Sequence, residues 1–131
     1  MLIDILPTLC HLAGAKLPDN EIDGKNVLDI ITDKIGAKNP HEYYAFSNNN
    51  RFEGVISGDG NWKLHIPHNY RTLVEAGKNG AAGKYKQDRI EWSLFYMKID
   101  PYEQVNVIEK YPQIASKLKQ IAEQHENKFF K

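Results

Sequence analysis

The sequence predicts an α+β fold: a small antiparallel β-sheet of about four strands packed by a long carboxy-terminal helix, with short helices at the amino end. Three observations predict it. Between residues 43 and 102, aromatic and β-branched residues fall into short runs, some alternating with polar ones at the period of a half-buried strand. Asn48-Asn49-Asn50 and Gly58-Asp59-Gly60-Asn61 separate these runs, and both are rich in residues that tolerate the backbone of a tight turn. Beyond Pro112, Ile114, Leu118, Ile121, Ala122 and His125 recur on one stripe, while lysines and glutamines occupy the other side.

From the amino end, Asp4 is placed to cap a helix through IDILPTLCHLAG. Pro7 is tolerable in its first turn, and Gly14 can take the left-handed conformation that stops it. Leu6, Leu9, Cys10 and Ala13 make one apolar face, and a helix of about ten residues is marginal unless that face docks on something. AKLPDNEIDGKN reads as a loop, and VLDIIT as a second brief helix before the break from Gly36 to Pro40. Trp62, Leu64 and Ile66 alternate with Lys63 and His65, which predicts a strand with one apolar and one basic face, ended by Pro67. HNYRTLVEAGKNGAAGKYKQDR, residues 68–89, loses the pattern and contains Gly77, Gly80 and Gly83. It reads as a long loop, of a length that commonly marks function or mobility. EWSLFYMK returns to strand character within the same sheet, and Asp100-Pro101 turns the chain out of it. Asn106 with Glu109 fits a capping box opening a short helical turn, and Pro112 suits the first turn of the long helix. Burying its three large aliphatics on the sheet contributes about 1.5 to 3 kcal/mol each, before ordering entropy is subtracted.

The chain has 131 residues, a length that fits one domain. Seventeen basic residues balance seventeen acidic ones, so no net field draws it to nucleic acid or an anionic membrane. No apolar run approaches the roughly 18 residues that span a bilayer, and no targeting segment opens the chain. Its one cysteine, Cys10, excludes an internal disulfide and a thiolate metal cluster, and its apolar neighbours predict a buried structural thiol. His11 beside it reads as a helix-surface residue.

A search for catalytic sets finds no phosphate loop, no nucleophile elbow, no H-E-x-x-H and no C-x-x-C. His65 and His68 have no carboxylate near them in sequence to complete a metal set, and GDGN reads as a turn rather than a calcium loop. His68, Tyr70 and Arg71 in PHNYRT place an imidazole, a phenol and a guanidinium at the start of the 68–89 segment, a combination suited to a sulfate, a phosphate or a sugar hydroxyl. The plainer reading packs Tyr70 on the sheet edge and pairs Arg71 with a surface carboxylate.

In order, these motifs resemble the carboxy-terminal part of a sulfatase of the arylsulfatase type, nearly end to end. Family members resemble the chain in an Asp-Ile-x-Pro-Thr-Leu helix ending in Leu-Ala-Gly, here DILPTLCHLAG, and in an Asp-Gly-Lys loop, here Asp23-Gly24-Lys25. They share a Gly-x-x-Lys strand, here GNWKLHIPHNYRT, then a Gly-rich loop and a strand leading into Asp-Pro-x-Glu-x-x-Asn-Val, here DPYEQVNV. One departure is FYMKIDP, where relatives usually read Leu-Tyr-Asp-Leu before the turn.

The resemblance implies that residues 1–40 are the terminal helices and linker of a large α/β sulfatase domain, and that residues 41–131 are its smaller subdomain of antiparallel sheet and helix. It implies a parent that hydrolyses sulfate esters with a formylglycine made from Cys/Ser-x-Pro-x-Arg and a calcium ion, neither carried by this chain. Cys10 lacks the Pro and Arg of that motif. In such a parent, an activated geminal diol attacks sulfur while cationic groups stabilise the transferring charge. The chain alone is then expected to be inactive, with no catalytic or metal residues. It would supply scaffold and one wall of the substrate cleft, with His68, Tyr70, Arg71, Asn49 and Arg51 as the contacts to test. Lys63, which matches the family lysine, is assigned to the sheet's polar face. Expected partners are the catalytic domain and a sulfated glycan or aryl sulfate, in a periplasmic or secreted parent. An exposed amino-terminal helix would favour a homodimer of this chain. The reading from a different class is a free-standing, non-catalytic glycan-binding or protein-interaction module.

Overall fold

Asp4 ties together the first of two units in the computed structural model, which describes residues 1–130 and divides at Glu42 and Tyr43. In the first unit, Met1–Glu42, a 3-10 turn at Leu2–Asp4 runs into α1, Ile5–Ala13, which stops on Gly14 at φ 64 as its sequence predicts. α2, Leu28–Ile31, is a single turn. Asp4 sits at the N-cap position, yet its side chain makes no capping bond, contrary to expectation. It is 1% exposed. One carboxylate oxygen accepts the Lys25 amide at 2.9 Å and faces His41 Nε2 at 2.6 Å, while the other takes the Met1 nitrogen at 2.6 Å. These donors come from segments lacking regular structure of their own, so a buried carboxylate joining them replaces the helix amides as partner. The Thr8 hydroxyl donates to the Asp4 carbonyl at 2.7 Å and accepts the Val27 amide at 3.1 Å. The buried stripe of α1 is therefore Asp4, Pro7 and Thr8; Leu6 and Leu9 of the expected apolar face are exposed, and Cys10 is half-buried.

The second unit begins at Tyr43. β1 (Tyr43–Asn48), β2 (Arg51–Ser57), β3 (Trp62–His65) and β6 (Ser93–Tyr96) form an antiparallel sheet in the order β1-β2-β3-β6. Asn49 and Asn50, at φ 49 and φ 61, make the two-residue turn whose left-handed pair matches the twist of a hairpin. Val55, Leu64 and Leu94 lie in register across three strands and are fully buried. α3, Pro112–Phe129, packs on the sheet, contributing Ala115, Leu118, Ile121 and Ala122 to the same core.

Two expectations are corrected in this unit. Residues 68–89 are no loop, because β4 (His68–Glu75) and β5 (Lys84–Ile90) pair as an antiparallel ribbon with full register from His68↔Ile90 to Leu73↔Tyr85. Both faces of the ribbon carry polar residues, so no hydrophobic period announces it, and Gly77 and Gly80 belong to its connecting end. The Asn106–Glu109 capping box does not form. Asn106 Oδ1 instead accepts the amides of Leu94 at 3.0 Å and Ile108 at 3.1 Å, and residues 108–110 form a turn rather than a helix. The basic face of β3 lies opposite the apolar one, as the alternation predicts, and it is covered: His65 is buried, and a loop from beyond β6 reaches over it.

Candidate functional site

Alternation along β3 puts Lys63 and His65 on the sheet face opposite α3, where the register brings Phe95 beside Lys63. Gly54, paired with both Phe46 and His65, has no side chain for a spatial reason. A Cβ there would lie 2.1 Å from the Leu64 carbonyl oxygen and 2.7 Å from the Phe46 ring. With the space open, the Phe46 ring meets His65 edge-on at 5.2 Å and carries the Lys63 ammonium at 4.8 Å.

DPYEQVNV supplies the lid of this face. The Asp100 carboxylate accepts the amides of Gln104 and Val105 at 3.0 and 2.9 Å, fixing the turn. That turn holds Glu103 at φ 57, a left-handed conformation that a residue with a side chain seldom adopts. The carboxylate consequently points back at the sheet: Lys63 donates to Oε1 at 2.5 Å, and His65 Nε2 lies 2.7 Å from Oε2. Val107 then donates to the Leu94 carbonyl at 2.8 Å, extending the sheet edge that Asn106 begins.

Burial acts to raise the Glu103 carboxyl, but hydrogen bonds from Lys63 and His65 outweigh it and hold the group below the usual carboxylate range. Desolvation pushes His65 below the ordinary imidazole value, against the pull of Glu103. At neutral pH the pair is therefore a carboxylate accepting the Nε2–H of a neutral ring, which leaves His65 Nδ1 buried without a hydrogen-bond partner. Both Glu103 oxygens are occupied by the protein's own donors. This is the chemistry of a clamp: the carboxylate is fully engaged, and the one unpartnered base, His65 Nδ1, is buried. Among the described residues, no group of three His, Cys, Asp or Glu side chains is arranged to hold a metal ion.

The residues singled out in the sequence lie around this clamp. His68 is buried and stacks on His65 at 5.4 Å; its Nδ1 donates to the Ile66 carbonyl at 2.7 Å. Tyr70 is exposed on the same ribbon face, its ring 6.4 Å from that of His68. Arg71 takes the other face and stacks on Tyr85 at 4.4 Å, so the imidazole, phenol and guanidinium do not converge. Arg51 pairs with Glu53 at 2.8 Å and donates to the Asn69 carbonyl at 2.7 Å, linking β2 to the ribbon. Asn49 stands exposed in the β1–β2 turn. Sequence reasoning missed Glu103 and Phe46 as partners of the basic pair. Glu103 was within the quoted motif, but its reach to β3 depends on a backbone conformation that its residue type does not announce.

A separate open groove of about 510 Å³ runs beside α3, lined by Phe52, Ile66, Pro67 and Trp92 on one side and by Glu123, Glu126 and Asn127 on the other.

No family model matches the chain, and no curated protein matches it. Solved structures do. BT33336S-sulf, from the metabolism of multiple glycosaminoglycans by Bacteroides thetaiotaomicron, aligns with 95% of this chain at 22% identity and a TM-score of 0.63. BT4656, solved in complex with its substrate D-glucosamine-2-N,6-O-disulfate, aligns with 96% of it at 19% identity and a TM-score of 0.53. The chain spans 24% of the length of each. Its fold is that of a quarter of these larger molecules.

Proposed function

We propose that this chain is the carboxy-terminal region of a sulfatase, serving as scaffold and as one wall of a substrate cleft whose bond-breaking groups lie in sequence beyond it. The observation that carries this reading is the alignment of 95% of the chain with a quarter of a sulfatase. The placement of the quoted motif residues supports it. Asp4, Thr8 and Lys25 are joined by hydrogen bonds, and a Cβ on Gly24 would lie 1.9 Å from the Ile3 carbonyl oxygen. Lys63, Asp100, Glu103 and Asn106 are likewise joined through the clamp and its turn. These residues hold structure, which is what a non-catalytic subdomain asks of them.

In this reading, residues 1–40 are the closing helices of the large α/β domain, and the parent is an arylsulfatase-type enzyme, periplasmic or secreted, acting on a sulfated glycan. The formylglycine and calcium belong to that larger domain. The carboxylates described here do not fit such a metal site, and no chemical step is assigned to them. The residues offered for the cleft wall are Tyr70 and His68 on one face of the ribbon, Arg71 on the other, Arg51 bonded to the ribbon at the Asn69 carbonyl, and Asn49 in the β1–β2 turn.

The test joins the chain to its upstream coding sequence. A Cys/Ser-x-Pro-x-Arg motif is expected there, with hydrolysis of a chromogenic aryl sulfate by the joined protein and none by this chain alone. Turnover by the chain alone would refute the proposal. The groove beside Trp92 favours the second reading, a free-standing glycan-binding or interaction module, and absence of any such motif upstream would select it.

A further inference from the structure

On the strands of the β4–β5 ribbon, each cation but one is matched by a carboxylate. Lys84 pairs with Glu75 at 2.7 Å, Lys86 with Asp88 at 3.1 Å, and Arg89 with Glu91 at 2.6 Å. Arg71 is the exception. Among the described residues its guanidinium has no ion pair or hydrogen bond, and it lies instead over the Tyr85 ring at 4.4 Å. Strand alternation places Asn69 and Leu73 on the same face of β4, and the register sets Gln87 directly opposite Arg71 and Tyr85 opposite Leu73. All five are exposed.

We propose that this face is an anion-binding platform for an acidic polysaccharide, with Arg71 receiving an oxyanion borne on a sugar and the Asn69 and Gln87 amides taking neighbouring hydroxyls. A planar guanidinium offers parallel N–H donors that match a sulfate or carboxylate, and stacking on Tyr85 fixes its plane before a ligand arrives. Binding then loses less side-chain entropy than it would with a free arginine. Directly opposed residues stand about 5 Å apart and alternate residues on one strand about 7 Å apart, so three sets of donors can reach the substituents of adjacent sugar units. With every other strand cation neutralised, the local positive field centres on Arg71.

This inference uses the wall assignment above only in expecting a polysaccharide. The platform belongs to the chain itself, so its failure is separate from a failure of sulfate release in the joined protein. The test titrates the whole 131-residue chain with a sulfated chondroitin oligosaccharide and with its desulfated counterpart, which keeps the same carboxylates. Binding of the sulfated form alone identifies sulfate as the anion; binding of both identifies the carboxylate. Arg71→Ala is expected to weaken either interaction by about tenfold or more. Arg71→Lys should restore only part of it, because an ammonium lacks the fork, while Lys86→Ala on the opposite face should change nothing. An unchanged circular dichroism spectrum verifies the fold of each variant. Binding of neither oligosaccharide, or equal affinity with Arg71→Ala, would overturn the proposal.

Discussion

Glu103 pairs an unfavourable backbone with a favourable side chain. A left-handed conformation in a residue with a side chain costs about 1 to 3 kcal/mol, and hydrogen bonds to a charged group contribute about 1.5 to 3 kcal/mol each. Two such bonds, to Lys63 and His65, outweigh the strain. Glu103→Ala should therefore lower stability in urea melts by about 1 to 3 kcal/mol, since it keeps the strain and leaves a half-buried lysine unpaired. Glu103→Gly should lower it less, because glycine accepts φ 57 freely. If Gly proved the worse of the two, the backbone argument would be wrong. Asp4 gives a separate prediction from its titration. Burial acts to raise its carboxyl, but the Met1 nitrogen, the Lys25 amide and His41 lower it from 3.8 to about 2. A depressed carboxylate stabilises the fold fully above its unfolded value and loses that effect as pH falls through the folded one, so about 2 kcal/mol present at pH 6 disappears between pH 4 and 2. The stability gap between the native chain and Asp4→Asn should narrow across that range. A gap constant from pH 6 to pH 2 would refute the assignment.

The elements divide by whether their contacts are local. The α3 stripe was legible because residues three and four apart share a face whatever lies opposite: Leu118, Ile121 and Ala122 are buried in the core, and Ile114 packs half-buried against it. Only Ala115 was overlooked, since a small residue adds little to a periodic pattern. Leu118→Ala, at the centre of that stripe, should cost about 2 to 5 kcal/mol and melt sheet and helix together; separate transitions would show that the helix is not part of the same core. The hairpin at Asn49-Asn50 and the turn at Gly58-Asp59-Gly60-Asn61 were legible from residue types alone. The ribbon was not. Its strands carry Asn69 and Arg71 on one face, Tyr70 and Thr72 on the other, and its stability comes from ladder bonds that every backbone possesses. The clamp escaped for a related reason: Glu103 and His65 are separated by 38 residues, and only the turn set by Asp100 brings them together. Gly54 tests how closely the packed face is built. Gly54→Ala would drive a methyl group into the Leu64 carbonyl and the Phe46 ring, so a loss of several kcal/mol is expected, comparable to or above the roughly 1 to 3 kcal/mol of ordinary overpacking.

At the scale of the whole molecule, apolar exposure is uneven. Leu2, Leu6, Leu9, Leu12, Ile31 and Ile35 in the first unit are all between 48% and 102% exposed, whereas Val55, Leu64 and Leu94 in the second are fully covered. Exposed single leucines are ordinary on a protein surface, but leucines at positions 6, 9 and 12 recur along one short helix, and contiguous patches of that kind mark interaction surfaces. Electrostatics does nothing to oppose association, because seventeen basic and seventeen acidic residues leave no net charge for self-repulsion. In the proposed parent the large domain covers this surface; in the chain by itself a second copy is the partner always present. Self-association is therefore expected to grow with concentration in sedimentation experiments, and a two-fold dimer would bury like against like. Replacing Leu6 and Leu9 together by Lys should abolish it without unfolding α1, whose buried stripe runs through Asp4, Pro7 and Thr8 instead. The same pair of substitutions should also weaken association with the upstream domain when the two are expressed as separate chains. A native chain that stays monomeric at every concentration, and binds that domain no better than the double variant does, would show that these leucines serve neither contact.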